Sequence, residues 1–370
     1  MLLHRGTLFL DAHERVALLP TNFIRSARKR LASLSIPRYG QRLCDFCNFV
    51  ERHNVFGSVG IDFALRAMPL ALLEEYYSEC KTRGLSANTI RGREITLKAF
   101  CKWLTTAESG PAKALDLYGG IKFLTDKPTL GPPKFVTVSA VKELSLQMHW
   151  EDQRVVTHFI FDTGVRVSEV PRVMKGDMPK PEDYPADCMY FPLFVRGSKG
   201  PGGAIKPRHT IISRPVLSRI SKYHNSKHYF THSAVMGKDA PAFLNTDGAP
   251  LTSDAIEKFI ESAYKRGGLN TISAHRLRHG TAYSVLKSEH GMELLDNLIV
   301  AKNMLGHVKL ETTEIYARVP APALRRNGLN TASGDILFRF EEAQSIMDAT
   351  YLPSHKHRRR RATTATRKGL

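Results

Sequence analysis

The sequence predicts a mainly α chain with a small β-sheet, built as a helical N-terminal domain followed by an α+β domain. Three observations predict it. Between about Pro37 and Leu104, apolar residues recur at three- and four-residue spacing, which gives each segment one apolar face. The stretch KPTLGPPK, residues 127–134, packs three prolines and a glycine into eight residues, so no regular element can run through it. Beyond it lies one pair of strand-like runs, Met189–Val195 and Ile205–Ile212, around the glycine-rich tip GSKGPGG.

Taken in order, residues 1–33 read as a basic extension with six basic and two acidic residues, ending in the cluster Arg25, Arg28, Lys29 and Arg30. A DNA-contacting arm and a solvated basic helix both fit it. The helical domain, 34–126, follows. Leu43, Phe46, Phe49 and Val50 mark one helix, a glycine- and proline-punctuated stretch comes next, and Leu72, Leu73, Tyr76 and Tyr77 mark another. A third helix spans Thr89–Leu104, capped by Ser86 or Asn88. Its polar face carries Arg91, Arg93 and Lys98, a set suited either to phosphates or to solvent. The second domain, 135–335, opens on an amphipathic helix holding Val141, Leu144 and Leu146. It continues with helix-like His158–Met174, the hairpin, and helices at Asp254–Arg266, His275–Leu286 and Leu294–Leu305. Residues 336–350 form a last apolar helix, and 351–370 a tail with seven basic and no acidic residues. That tail suits nonspecific DNA contact or a nuclear address.

Composition narrows the function classes. The formal charge is +19, from 54 Lys and Arg against 35 Asp and Glu, which points to a polyanionic partner. No apolar run approaches the ~20 residues that span a bilayer. The N-terminal segment is broken by His4, Arg5, Asp11 and Glu14, which argues against a signal peptide. Five scattered cysteines fit a reducing compartment. Cys44 and Cys47 form a CxxC without a second pair, so they read as two small helix residues, one facing the core.

Four short pieces carry the chemistry. In TGVRVSEV, residues 163–170, Arg166 and Glu169 are three apart and would share a helical face. The hairpin tip holds Lys199, with Lys206 as its rival. In HRLRH, residues 275–279, His275 and Arg278 share a face. The two histidines have zinc-protease spacing, but Arg276 and Arg278 would repel a metal. LGHVKLETTEIY, residues 305–316, sets His307 nine residues before Tyr316.

Together and in this order the four pieces resemble the tyrosine recombinases, the phage-integrase and Xer-like group, over about residues 38–325. The resemblance implies a core-binding domain and a catalytic domain forming a C-shaped clamp on double-stranded DNA. It implies site-specific strand cleavage and rejoining through a 3′-phosphotyrosine, in integration, excision or resolution. On that basis Arg166 and Arg278 clamp the nonbridging oxygens, and His275 and His307 add hydrogen bonds. Tyr316 attacks, Lys199 protonates the leaving 5′-oxygen, and Glu169 orients an arginine or the catalytic histidine. His279 is structural. No metal or other cofactor is implied, since the cations supply the positive charge. A homotetramer on two sites is implied, with a C-terminal segment exchanged between protomers; Ile336–Met347 fits that segment, or a helix packing on its own domain. An accessory DNA-bending or directionality protein and a cytoplasmic, nucleoid-associated location fit the same family. Relative to the family pattern, Gly200–Ala204 lengthens the tip, and Pro171 implies a kink after TGVRVSE. The alternatives are type IB topoisomerase-like relaxation and a noncatalytic DNA-binding relative.

Overall fold

A computed structural model of the chain describes residues 3–5, 8–11, 14–31, 35–128, 135–197, 205, 207–287, 301–305 and 337–352. The described residues up to 128 form one compact unit and those from 135 form another, so the division falls within the proline-rich stretch.

Among the described residues the first unit has a small hairpin, β1 (Leu3–Arg5) with β2 (Leu8–Leu10), and five α-helices. These are α1 (Leu18–Ala27), α2 (Ile36–Arg52), α3 (Ile61–Ala67), α4 (Leu70–Thr82) and α5 (Ala87–Leu104). Within the stretch read as a basic extension, α1 belongs to the core. Leu19, Phe23, Ile24 and Ala27 recur at helical spacing on α1 and are buried in the same core as Leu43, Phe46, Tyr76 and Leu97. Phe23 meets Phe100 edge-on at 5.2 Å, and Phe46 meets Tyr76 at 5.1 Å. The basic cluster at the end of α1 stays exposed. Cys47 is fully buried in this core, which pushes its thiol well above the ordinary range, and Cys44 is half-buried.

Helix α5 starts where Ser86 accepts the Thr89 amide, as a serine N-cap does. Its cations also make intramolecular contacts. Arg91 pairs with buried Glu94 at 3.2 Å and stacks over Phe123. Arg93 is tied to Asp45 and donates to the Tyr76 hydroxyl at 2.7 Å. Lys98 donates to the carbonyls of Ile121 and Lys122 at 2.6 and 2.8 Å. Glu94 also accepts the amides of Leu124 and Thr125. These contacts fasten residues 121–125 over the polar side of α5, so that the three cations are held by intramolecular partners.

The second unit contains α6 (Val138–Leu146), α7 (Glu151–Thr163), β3 (Tyr190–Val195), β4 (Arg208–Ser213), α8 (Arg214–His224), α9 (Lys227–Ser233), α10 (Ser253–Arg266) and α11 (Ala274–Lys287). Residues 301–305 are helical, and α12 (Leu337–Thr350) follows. Its core gathers Val155, Val156 and Phe159 of α7, Phe191 and Leu193 of β3, Val216 of α8 and Ile346 of α12. Strands β3 and β4 pair antiparallel, from Tyr190 opposite Ser213 to Val195 opposite Arg208. Phe191, Leu193 and Val195 face the core while Pro192 and Phe194 face outward, the alternation expected of a half-buried strand. The second strand begins three residues later than the sequence suggests, directly after Pro207, which has no N–H for the ladder.

One segment differs from its sequence reading. The helix expected over His158–Met174 is instead α7, ending at Thr163. Gly164 sits in the left-handed region at φ +64° and closes it, and a short 3₁₀ turn at Val170–Arg172 carries Pro171. Helix α12 lies on α6, α7 and α8 of its own unit. The side chains of Leu337 and Phe338 lie outside the described residues, as do 129–134 and residues 353–370 of the basic tail.

One buried histidine gives this unit a pH signature. His224 donates from Nε2 to the Ala242 carbonyl at 2.9 Å and stacks on Tyr229. Burial pushes it down to about 4; the Ala242 hydrogen bond opposes this and Lys175 adds to it. Between pH 6.5 and 4 the unfolded chain takes up this proton and the folded chain does not, so acidification favours unfolding. Relative to a His224→Gln variant, wild type is expected to lose about 3 kcal/mol as pH falls from 7.5 to 4, by denaturant titration at each pH.

Candidate active site

The segment TGVRVSEV is fixed by its valines. Val165 and Val170 are buried in the core, so the residues between them turn outward at the end of α7. Arg166 projects with 40% of its side chain exposed, while Glu169 beneath it is 1% exposed. They meet in a turn and not on a helical face. Glu169 accepts from the Arg166 amide at 2.7 Å and from Arg166 Nη1 at 3.0 Å. The carboxylate therefore holds both backbone and guanidinium of one residue, which fixes the direction of the arginine fork.

Helix α11 brings the second arginine to the same place. It packs on α7 with unusual closeness at Gly280, where a Cβ would meet Phe161 and the Val136 carbonyl at 2.6 Å. Thr281 next to it donates to the Phe161 carbonyl at 2.6 Å. This approach lets buried Arg278 donate from Nη1 to the carbonyl of Gly164 and from Nη2 to that of Leu305. Gly164 thus ends α7 and presents its carbonyl to Arg278, two residues before Arg166. A side chain there would also strike Leu305 and Thr281.

His275 stands on the exposed side of α11. Partial burial and then the charges of Arg278 and Arg166 lower its pKa. His279 packs edge-on against His275 at 4.2 Å and is pushed down to about 4 by burial, His275 and Arg278. It is a neutral imidazole supporting its neighbour. The site thus combines guanidinium forks with a histidine of lowered pKa, residue types chemically suited to an anion.

A model of the phage integrase family matches residues 136–321, half of the chain. The chain belongs to that family. It is a tyrosine-type site-specific recombinase. Among curated relatives, the tyrosine recombinase XerC of Roseiflexus sp. (strain RS-1) is 25% identical over 300 residues, which cover 79% of this chain and 85% of the relative. The XerC of Chlamydia trachomatis serovar L2 is 26% identical over 236 residues, covering 63% and 68%. Among solved structures, a post-cleavage complex of the XerH recombinase with its difH substrate matches with a TM-score of 0.58. It is 19% identical, over 82% of this chain and 81% of that one. A lambda integrase dimer bound to a core site matches with a TM-score of 0.56 at 14% identity, over 81% and 94%. Both likenesses are of fold.

Of the recombinase residues expected from sequence, the structure brings Arg166, Glu169, His275 and Arg278 together. Lys199, Lys206, His307 and Tyr316 lie outside the described residues. The chain enters the LGH segment at Leu305, whose carbonyl Arg278 holds, two residues before His307. Sequence reasoning missed Arg208, the first residue of β4. Its Nη2 donates to Glu169 Oε2 at 2.8 Å. Only its place just after the lysine-bearing tip hinted at a role.

Proposed function

We propose that this recombinase cleaves duplex DNA by in-line attack of Tyr316 on a phosphodiester, giving a 3′-phosphotyrosine and a free 5′-hydroxyl. The observation that carries the proposal is the convergence of Arg166 and Arg278 at the end of α7. Attack at phosphorus adds negative charge to the nonbridging oxygens. Guanidinium groups keep their charge near neutral pH and offer planar, paired donors to such oxygens. One preorganised donor of this kind is commonly worth about 3 kcal/mol in the transition state. His275, neutral at pH 7, donates to the same oxygens or to the nucleophile. The phenol of Tyr316, ordinarily near pKa ~10, gives up its proton more readily beside these cations. Lys199 serves as general acid for the 5′-oxygen, with Lys206 as the competing assignment.

The phosphotyrosine retains the energy of the broken bond. A 5′-hydroxyl from a second duplex can attack it and reseal, which is strand exchange. The same reading has double-stranded DNA as the partner, a homotetramer on two sites as the working assembly, and an accessory DNA-bending or directionality protein at some sites. The surplus of positive charge supports binding to DNA, with affinity falling steeply as salt rises.

A duplex nicked just beyond the cleavage position traps the covalent intermediate, because the short 5′-hydroxyl fragment diffuses away. Wild type is expected to form a denaturant-resistant protein–DNA adduct on such substrates, and Tyr316→Phe none. Equal adduct from both proteins, or none from wild type, defeats the proposal. Resealing onto a second duplex separates recombination from topoisomerase-like relaxation.

A further inference from the structure

Glu169 poses an electrostatic problem. It orients Arg166 through two hydrogen bonds, yet it is a buried carboxylate set directly against a cation meant to bind a phosphate. One carboxylate on one guanidinium leaves no net charge at that position. Orientation alone would thus be gained at the expense of the field that the reaction needs.

Arg208 resolves this. Its Nη2 lies 2.8 Å from Glu169 Oε2, the oxygen that also takes the Arg166 amide, while Arg166 Nη1 lies on Oε1. Among the described residues two guanidiniums therefore share one carboxylate, which leaves a positive charge over. The placement of Arg208 is rigid. It pairs with Val195 in the ladder, and two residues on, Thr210 donates to the Thr163 carbonyl at 2.9 Å at the end of α7. Only 12% of the side chain is exposed. Its Nε and Nη1 are nevertheless buried without a hydrogen-bond partner among the described residues. A buried, incompletely satisfied guanidinium is costly, and most such groups in folded proteins find partners. Here the unmet donors and the surplus charge stand in the site that has to receive an anion.

We propose that Arg208 is a positioning residue of the strand-cleavage site: it holds and charge-compensates Glu169, so that Glu169 directs Arg166 without cancelling its pull on the scissile phosphate. It also ties the lysine-bearing hairpin to the arginine pair, since β4 begins at Arg208 directly after the tip. The proposal rests on the strand-cleavage reading above.

Single-turnover cleavage of the nicked duplex by wild type, R208M, R208K, E169Q and the double variant E169Q/R208M tests it, alongside DNA affinity and thermal unfolding. R208M is expected to cleave about 10- to 100-fold more slowly, the size of coupling seen between groups in one ionic network, with affinity within about twofold of wild type. The double variant should cleave faster than R208M, because it removes the carboxylate that Arg208 no longer neutralises. R208K, which keeps a cation near Glu169, should fall within about fivefold of wild type. A purely structural arginine would lower the melting temperature and produce neither the rescue nor the split between rate and affinity. The proposal is overturned if folded R208M cleaves at the wild-type rate, or if the E169Q and R208M effects simply multiply. Should R208M not fold, R208K cleaving more than about 100-fold more slowly than wild type overturns it equally. Absence of adduct from wild type would instead defeat the strand-cleavage reading itself.

Discussion

Arg278→Lys is expected to lower the rate of covalent adduct formation about 10²- to 10³-fold, the usual loss when a preorganised donor to a developing oxyanion is removed. Charge is conserved in this change, so the loss has to come from geometry. Arg278 spans the carbonyls of Gly164 and Leu305, the first next to the Arg166 turn and the second at the entry to the LGH segment. An arginine has five N–H donors in one plane, enough to hold two carbonyls and still address a phosphate oxygen. An ammonium on a flexible stem holds no such plane. The change should therefore act on the cleavage step far more than on DNA affinity. Arg278→Ala should be worse in a second way. It leaves two buried carbonyls without their donor, each worth about 1–3 kcal/mol, so loss of stability joins loss of rate. Adduct yield against time on nicked duplexes, with thermal unfolding of the same samples, separates the two effects. A lysine variant that cleaves within a few-fold of wild type would remove Arg278 from the clamp.

The site was legible where its residues follow one another in fixed local patterns. TGVRVSE and HRLRH each announce a cation with its neighbour, and their order along the chain supplied the rest. The helix end at Gly164 was also within reach, because a glycine after a helical run signals a left-handed cap; the apolar run through Val173 masked it. Other features were out of reach for a physical reason. Periodicity separates apolar from polar faces and treats the polar face as open to solvent. On α5 the polar face is covered by residues 121–125, which carry no periodicity, so Arg91 and Lys98 gave no sign of their partners. Arg208 acquires meaning only from Glu169, 39 residues away, and Arg219 only from Glu151, 68 residues away. The burial of α1 was hidden by its basic end: four cations in six residues suit an arm or a solvated helix, whereas Leu19, Phe23 and Ile24 place it in the core.

The second large effect concerns how α12 is held. Arg219 is completely buried, donating to Glu151 Oε1 at 2.6 Å, to Thr350 Oγ1 at 2.9 Å and to the Thr350 carbonyl at 3.2 Å. Glu151 uses its other oxygen for Arg154 at 2.8 Å and for the Leu352 amide at 3.4 Å. Arg219 thus bridges the start of α7 and the last residue of α12. At the other end of α12, Arg339 donates to the Asp162 carbonyl at 2.7 Å. Arg219→Met is expected to destabilise the second unit by about 3 kcal/mol, the lower end of the range for breaking a buried pair, because Arg154 remains to share the carboxylate. Hydrogen exchange should rise first at 346–352, since the carbonyl clasp on Thr350 is gone. Removing the carboxylate as well leaves buried Arg154 without its anion, so Glu151→Gln with Arg219→Met should be less stable than Arg219→Met alone, yet more stable than the sum of the single changes predicts, because Glu151→Gln alone strands two buried cations. Additive losses would mean that Arg219 stabilises by packing alone. The consequence for catalysis is graded. Asp162 lies one residue before Thr163, and its side chain accepts the Ser213 amide at 2.8 Å, so α12 reaches β4 and Arg208 through the end of α7. Arg219→Met should therefore slow cleavage measurably, by much less than Arg278→Lys, and that slowing should track the loss of protection at the end of α12.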